Sequence, residues 1–262
     1  MGVIDLFSLR GSVALVTGGA RGLGYQHALA LAEAGADVAI ADLLDDEGED
    51  AALRIASASG RRAVFVRMDV TASDDIERAL AAVVAQLGPI DVLINNAARP
   101  SEGIALEKVD DQLWRDIVDT NLSSLFYVGK RVASAMIARG AQGRIVNVAS
   151  INALVISNIA PRYNAAYCTT KAGVAQLTKA MAAQWAAHGI RVNALAPGYI
   201  RTAQTAASAA NPEIYARNLA NTPMNRYGRI DELKGTIVYL ASEASSFMTG
   251  AVVVVDGGYT IW

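Results

Sequence analysis

Short runs of apolar, often β-branched residues alternate with longer amphipathic runs rich in Ala and Leu along the chain. The short runs are continuously apolar, which is typical of parallel strands buried on both faces. They predict seven strands, at residues 13–16, 37–41, 64–66, 91–94, 144–148, 191–195 and 252–255. The longer runs predict helices at about 25–33, 46–59, 74–87, 110–139, 164–187 and 231–241. This alternation predicts an α/β fold with a doubly wound, mostly parallel seven-stranded sheet and helices on both faces.

The chain contains no internal repeat and no Pro/Ser-rich linker, so residues 1–262 are predicted to form a single domain. Its least regular stretch is residues 199–225, between the sixth strand and the last helix. Ligands in doubly wound folds bind outside the carboxyl ends of the strands. A long connection at such an end is typical of a functional lid, and residues 199–225 are predicted to cover a substrate.

Composition narrows the class of protein. With 53% hydrophobic and 18% charged residues, the chain is too apolar for disorder. A net charge of −2 without a basic stripe argues against nucleic acid as a partner. No apolar run suits a membrane span or a signal peptide, so no membrane partner is expected. One cysteine excludes an internal disulfide and a cysteine-rich metal site, so we expect no metal and a reducing, cytoplasmic compartment.

A glycine-rich loop joins the first strand to the first helix. Glycine permits positive φ and lets a pyrophosphate approach the backbone, while the helix N-terminus supplies N–H groups and a positive dipole end. The loop residues predicted to contact a dinucleotide are Gly18, Arg21, Gly22, Leu23 and Gly24.

Asp42, followed by Leu43, ends the second strand. A carboxylate there accepts hydrogen bonds from the adenosine ribose hydroxyls and repels a 2′-phosphate. This position favours NAD over NADP as the cofactor. Arg21 argues weakly for the opposite preference, because a cation in the glycine loop pairs with phosphate.

Three motifs together resemble the short-chain dehydrogenase/reductase family: Gly18-x-x-x-Gly22-x-Gly24, Asn95-Asn96-Ala97-Ala98 and Tyr167-Cys168-Thr169-Thr170-Lys171. The resemblance covers essentially the whole chain, with the motifs in the family order. It implies a single-domain Rossmann fold and hydride transfer between a nicotinamide cofactor and a secondary alcohol or ketone. The segments 191–202 and 256–262 look like the polyol and sugar dehydrogenase branch.

Tyr167 and Lys171 lie four residues apart on a predicted helix and therefore share one face. A nearby ammonium favours the phenolate, which predicts a lowered pKa for Tyr167 and a role as proton acceptor. Tyr163 is a rival, but no lysine follows it four residues on. Ser150, at the end of the fifth strand, is predicted to hold the substrate oxygen.

Further roles are implied by the family resemblance. Asn121 is expected to kink the helix at 110–139 and to connect Lys171 to a water-borne proton relay. Additional cofactor contacts are carried over to Asp69, Val70, Asn96, Ala97, Ala98, Pro197, Gly198, Ile200 and Thr202, with Tyr167 and Lys171 also reaching the cofactor. Substrate contacts are expected at Ser150, Asn152, Tyr163, Tyr167 and Tyr199.

Three functions stay open at this point. The first is NAD-dependent oxidation of a polyol or sugar, and the second is reduction of an apolar ketone or a 3-oxoacyl substrate. The third is a non-catalytic NAD-binding sensor or scaffold, against which the set Asn121, Ser150, Tyr167 and Lys171 argues. The long Ala-rich helices at 110–139 and 164–187 suit packing between subunits, and a homotetramer is expected.

Overall fold

The computed structural model describes residues 2–99, 104–156 and 164–261. All seven predicted strands are present: β1 (Val13–Thr17), β2 (Asp37–Asp42), β3 (Ala63–Arg67), β4 (Val92–Asn95), β5 (Gly143–Val148), β6 (Ile190–Pro197) and β7 (Val252–Val255). They form one sheet in the order β3-β2-β1-β4-β5-β6-β7, and every neighbouring pair is parallel. The order reverses direction between β1 and β4, which is the topological switch point where doubly wound folds bind ligands.

Nine α-helices connect and cover the strands in the described part of the chain. They are α1 (Gly22–Glu33), α2 (Asp45–Ser59), α3 (Ser73–Leu87), α4 (Asp111–Val118), α5 (Ser124–Ala138), α6 (Ala165–Trp185), α7 (Ala203–Ala210), α8 (Pro212–Ala220) and α9 (Lys234–Ala241). The predicted helix at 110–139 is interrupted, because a five-residue π-helical segment, Asp119–Ser123, joins α4 to α5. The region predicted as a lid contains the two short helices α7 and α8.

Alternate residues of each central strand build the two halves of the core. In β1, Val13 and Leu15 pack under α3, α5 and α6, while Ala14 and Val16 pack under α1, α2 and α9. Both faces of the sheet are therefore covered, which explains the continuously apolar strand sequences. Among the described residues, no helix is both long and apolar enough to cross a membrane.

Candidate active site

A cavity of about 620 Å³ opens at the carboxyl ends of the central strands. Most of the residues predicted from sequence line it. Those near the glycine loop and β2 are Gly18, Arg21, Gly22, Leu23, Gly24, Asp42 and Leu43; those on the following strands and α6 are Val70, Asn96, Ala97, Ala98, Ser150, Tyr167 and Lys171; those after β6 are Pro197, Gly198, Ile200 and Thr202. The structure thus brings the predicted nucleotide contacts and the predicted catalytic groups to one continuous wall.

The glycine loop is shaped by close backbone contacts. Gly18 has a φ of 64°, and a Cβ there would lie 2.8 Å from the Cα of Ala97. A Cβ on Gly24 would overlap the carbonyl oxygen of Gly18 and lie 2.6 Å from Nδ2 of Asn96. The loop passes so close to the turn after β4 that only glycine fits at these two positions. The N-terminus of α1 is thereby presented to the cavity, as dinucleotide binding requires.

Asp42 faces the same cavity from the end of β2. Its Oδ2 accepts a hydrogen bond from the Ala20 backbone N–H at 3.1 Å. Its Oδ1 accepts from the N–H groups of Leu43 at 2.7 Å and Leu44 at 3.3 Å. These bonds fix the carboxylate, and its remaining lone pairs can still accept from ribose hydroxyls.

Ser150, Tyr167 and Lys171 meet on the opposite side of the cavity. Ser150 directly follows the β5–Ala149 edge, and its hydroxyl forms a hydrogen bond with Tyr167. It also accepts from the N–H of Asn152 at 3.2 Å, at the start of a 3₁₀ turn over Ile151–Ala153. Lys171 is 2% exposed, and its Nζ donates to the carbonyl oxygen of Val148 at 2.7 Å.

The predicted effect of Lys171 on Tyr167 is wrong for this structure. Burial raises the pKa of Tyr167 to about 12, opposed by the hydrogen bond with Ser150. Burial likewise lowers the pKa of Lys171 to about 8. The two side chains do share a face, but Nζ of Lys171 lies 5.5 Å from the centre of the Tyr167 ring and turns to the Val148 carbonyl. Desolvation therefore dominates over attraction at the tyrosine.

Asn121 lies within the π-helical segment and is fully buried. Its Oδ1 accepts from the backbone N–H of Arg99 at 2.7 Å, and its Nδ2 donates to the Arg99 carbonyl at 3.0 Å. The helix is interrupted at Asn121, where the family resemblance places a kink. Its neighbour Thr120 reaches the cavity wall, while Asn121 itself holds the turn after β4.

Some predicted contacts lie elsewhere. Asp69 does not line the cavity; its carboxylate accepts from the N–H and Oγ1 of Thr71 at 2.8 and 2.7 Å, which orders the turn between Val70 and α3. Asn152 does not line the cavity, and its backbone N–H donates to the Ser150 hydroxyl. Tyr163 lies outside the described residues.

Tyr199 packs behind the cavity instead of facing it. Its ring stacks on Tyr227 with centroids 5.4 Å apart and meets Tyr259 edge-on, also at 5.4 Å. Tyr215 of α8 lies 5.0 Å from Tyr227, whose hydroxyl accepts from Nδ2 of the buried Asn218 at 2.7 Å. These contacts join α8, in the region predicted as a lid, to Tyr199 and to the segment after β7.

The cavity also has walls that sequence reasoning missed. Each of these residues either lies within two positions of a predicted residue in the sequence or belongs to the first turn of α7. They are Ala41, Leu44, Met68, Thr120, Val148, Ala149, Ala203 and Thr205. Met68 and Ala149 end or follow strands, a position that signals a ligand site in this architecture. Thr205 is held by a capping box with Thr202, and its Oγ1 donates to the Ile200 carbonyl at 2.6 Å.

Comparison with known proteins adds a family and named relatives. A family model described as enoyl-(acyl carrier protein) reductase matches residues 18–260. The chain is 42% identical over 258 residues to gluconate 5-dehydrogenase of Gluconobacter oxydans (strain 621H), with 98% of both chains covered. It is 38% identical over 257 residues to galactitol 2-dehydrogenase (L-tagatose-forming) of Cereibacter sphaeroides, again with 98% of both chains covered.

A solved structure has the same fold over its full length. The crystal structure of a gluconate 5-dehydrogenase from Burkholderia cenocepacia J2315, in complex with NADP and tartrate, superposes with a TM-score of 0.92. It is 36% identical to this chain, and 100% of each chain is covered. At this identity the likeness extends beyond the fold to the family.

Proposed function

This chain belongs to the short-chain dehydrogenase/reductase family, and from that premise we propose that it is an NAD-dependent dehydrogenase of a polyol or sugar. Membership makes it an NAD(P)-dependent oxidoreductase acting on a secondary alcohol or ketone, which removes the non-catalytic alternative. The observation that carries the proposal is one cavity lined by the glycine loop, Asp42 and the group Ser150, Tyr167 and Lys171. We also assign the whole chain to one functional domain.

The residues present fit a nicotinamide dinucleotide. The pyrophosphate would lie against the glycine loop, where a Cβ on Gly18 or Gly24 would clash, and against the N-terminus of α1. Asp42 would hold the adenosine ribose. When bound, the cofactor accepts or donates the hydride. Pro197, Gly198, Ile200 and Thr202 would orient the nicotinamide end beside Tyr167.

The protein's own residues handle the proton and the substrate oxygen. Ser150 Oγ would donate a hydrogen bond to that oxygen and hold it against the Tyr167 hydroxyl. Tyr167 Oη would take the alcohol proton in oxidation and return it to the carbonyl in reduction. Lys171 would supply positive charge below the tyrosine. The further connection of Lys171 to Asn121 through water rests on the family resemblance alone.

The preference for NAD over NADP rests on the charges near Asp42. The first turn of α2, which begins three residues after Asp42, adds the acids Asp45, Asp46 and Glu47. Their negative charge disfavours a 2′-phosphate, although Asp45 pairs with Arg67 at 2.7 Å. Arg21 is the N-cap residue of α1, but its side chain makes no capping hydrogen bond, and its guanidinium lies 3.8 Å from the Glu47 carboxylate. The Burkholderia relative was solved with NADP, so the preference is a proposal specific to this chain's residues.

The substrate class is proposed from the named relatives and from the wall of the cavity. Two relatives act, by name, on gluconate and galactitol, which are polyhydroxylated. The described wall of the cavity carries the hydroxyl-bearing residues Thr120, Thr202 and Thr205 in addition to Ser150. Hydroxyl groups donate and accept and so suit a polyol. The competing reading is an apolar ketone or a 3-oxoacyl substrate; the matching family model shares with it only the acyl carrier, because the enoyl group in its description carries a carbon–carbon double bond and not a ketone.

A homotetramer is proposed on the surfaces of the long helices. Trp114 of α4 and Phe126 of α5 are 37% and 43% exposed, respectively, on the helices predicted to pack between subunits. Large exposed aromatic side chains are typical of interfaces. Light scattering should give about four chain masses, and a monomer mass would refute this part of the proposal.

A substrate panel tests the proposed activity. Purified protein would be given NAD or NADP with galactitol, D-gluconate and simple secondary alcohols, and the reverse direction would use a 3-oxoacyl thioester with reduced cofactor. We expect NAD-dependent oxidation of at least one polyhydroxylated substrate. Turnover of the thioester alone would replace the polyol proposal with the reductase reading.

A further inference from the structure

A chain of buried polar side chains ties β4, β5 and α6 together beneath the catalytic group. Asn95 and Asn147 are register partners on neighbouring strands, and Nδ2 of Asn95 donates to Oδ1 of Asn147 at 2.9 Å. Nδ2 of Asn147 donates to Oγ1 of Thr178 at 3.0 Å, which in turn donates to the Val174 carbonyl at 2.8 Å. Asn95 is 2% exposed, and Asn147 and Thr178 are fully buried.

These hydrogen-bonded polar side chains lie in an apolar part of the core. On the same strand faces, Leu93 precedes Asn95 and Ile145 precedes Asn147, and both pack with residues of α5 and α6. A pair of apolar side chains would fill such positions without the cost of desolvating amides. The polar groups do something that apolar packing does not, because hydrogen bonds fix direction and register while apolar contacts tolerate sliding.

The catalytic residues lie on α6 and directly after β5, the two elements that the bond between Asn147 and Thr178 joins. Asn147 directly precedes Val148, whose carbonyl accepts the Lys171 ammonium, and it lies three residues before Ser150. Thr178 follows Lys171 by seven residues, which is about two helical turns, and so lies on the same face of α6. The bond between Asn147 and Thr178 and the bond between Lys171 and Val148 therefore join β5 to α6 at two heights.

We propose that Asn147 and Thr178 are positioning residues that set the register of α6 against β5. Through that register they place Nζ of Lys171 on the Val148 carbonyl and the Tyr167 hydroxyl beside Ser150. Neither residue lines the cavity, so their effect on catalysis is indirect. A displacement of about 1 Å in a reacting geometry reduces turnover strongly, which makes the register a catalytic requirement.

Thr178→Val is the sharpest test, because it replaces the hydroxyl by a methyl of nearly the same shape. It leaves the Asn147 amide without its acceptor inside the core. Thr178→Ser restores a hydroxyl and is the rescue variant. Crystal structures of both variants would report the distance from Lys171 Nζ to the Val148 oxygen, and steady-state kinetics would report kcat and the KM for the cofactor.

In Thr178→Val we expect this distance to exceed about 3.5 Å, the limit of a hydrogen bond. We expect kcat to fall about tenfold with the KM for NAD nearly unchanged. Thr178→Ser should keep the wild-type distance from Lys171 Nζ to the Val148 oxygen and the wild-type kcat. Should Thr178→Val not fold, Thr178→Ala removes the same hydroxyl with less crowding and replaces it in the test.

A control separates positioning from general loss of stability. Val83→Ala truncates a fully buried residue of α3 in the same core and is remote from the cavity wall. It should lower the Tm and leave kcat unchanged. The proposal is overturned if Thr178→Val keeps the wild-type distance or the wild-type kcat, or if Val83→Ala loses kcat equally. The activity readout rests on the proposed function. If the wild-type protein turns over no panel substrate, that function fails, and the distance from Lys171 Nζ to the Val148 oxygen in the two crystal structures then decides the positioning role.

Discussion

The side chain of Asn121 pairs with the backbone of Arg99 as one peptide group pairs with another. The amide oxygen accepts from the Arg99 N–H at 2.7 Å, and the amide nitrogen donates to the Arg99 carbonyl at 3.0 Å. The π-helical segment around Asn121 thus grips the end of the turn that begins at Asn96, Ala97 and Ala98 on the cavity wall. An interruption of a long helix is in this way coupled to the floor of the proposed cofactor site.

Asn121→Leu should loosen that turn. Both backbone groups of Arg99 lose a partner, and because they are only partly buried, water replaces part of what is lost. We expect the free energy of unfolding to fall by about 1–2 kcal/mol and the Kd for NAD to rise severalfold. Urea denaturation and calorimetric titration measure the two effects.

The control for this change is Asp116→Asn. Asp116 pairs with the guanidinium of Arg99 at 3.1 Å, and both side chains are substantially exposed. Removing that charge leaves the backbone bonds of Asn121 in place, so NAD binding should remain at the wild-type level. Equal weakening in both variants would mean that the Arg99 side chain, not its backbone, is what Asn121 supports.

The cofactor preference should respond to two acids in different ways. Asp42→Ala removes the carboxylate that we propose holds the adenosine ribose, and it should strongly reduce discrimination against NADP. Glu47→Gln releases Arg21 for a 2′-phosphate and should raise the NADP-to-NAD ratio of kcat/KM roughly fivefold, the factor for one charge pair of about 1 kcal/mol in water. The Kd of each cofactor gives the same ratio without turnover.

Asp50→Asn is the matched control for Glu47→Gln. It removes a carboxylate from the same helix, but Asp50 pairs with Arg54 at 2.9 Å, whereas Glu47 lies beside the cavity residue Arg21. It should leave the cofactor ratio unchanged. Adding Arg21→Ala to Glu47→Gln should cancel the gain, and persistence of the gain without Arg21 would show that the interpretation is wrong.

Gly24→Ala should weaken cofactor binding. The added Cβ meets the Gly18 carbonyl and the Asn96 amide, neither of which can move without opening the loop. We expect at least about a tenfold increase in the Kd for NAD. Gly235→Ala is the control, since nothing lies within 4 Å of its added Cβ. Gly235 is exposed on α9, so the free energy of unfolding of the Gly235→Ala variant should rise by about 0.5–1 kcal/mol, and the variant should bind NAD as the wild-type protein does.

His27 should make the fold sensitive to acid. It is fully buried on α1, and neither ring nitrogen has a hydrogen-bond partner among the described residues. Burial lowers its pKa from 6.5 to about 4. Above pH 6.5 the imidazole is neutral in both states. Below it, the unfolded chain takes up a proton that the folded chain refuses, so the free energy of unfolding falls as pH drops towards 4.

The full contribution of His27 is about 3 kcal/mol, from roughly 1.36 kcal/mol per pKa unit. His27→Leu should therefore show a smaller loss of stability between pH 7 and pH 4.5 than the wild-type protein does. Urea denaturation of both proteins at the two pH values measures this difference. Parallel pH dependences would mean that His27 does not titrate in this range.

Local patterns predicted the fold well because its signals are local. Each buried strand is a continuous apolar run, and each glycine or acid of the cofactor motif sits where its own strand ends. Long-range contacts were not visible in the same way. The spacing of Tyr167 and Lys171 predicts a shared face, yet the acceptor of the ammonium is the carbonyl of Val148, on a different element.

Two further differences have similar causes. The π-helical segment adds a single residue to a turn, which leaves the apolar pattern over 110–139 almost unchanged. The family resemblance of the segment 191–202 predicts that Tyr199 contacts substrate. It packs between Tyr227 and Tyr259 instead, since aromatic partners distant in sequence bury its ring.

Tyr167 is the residue that we propose moves the proton of the substrate alcohol. The most direct measurement compares wild-type protein and Tyr167→Phe for reduction of NAD by galactitol and D-gluconate, with the Kd for NAD determined in parallel. We expect turnover by the wild-type protein and a loss of about a thousandfold in the variant, with NAD binding nearly unchanged. A Tyr167→Phe variant that binds NAD and turns over at the wild-type rate would contradict this role of Tyr167.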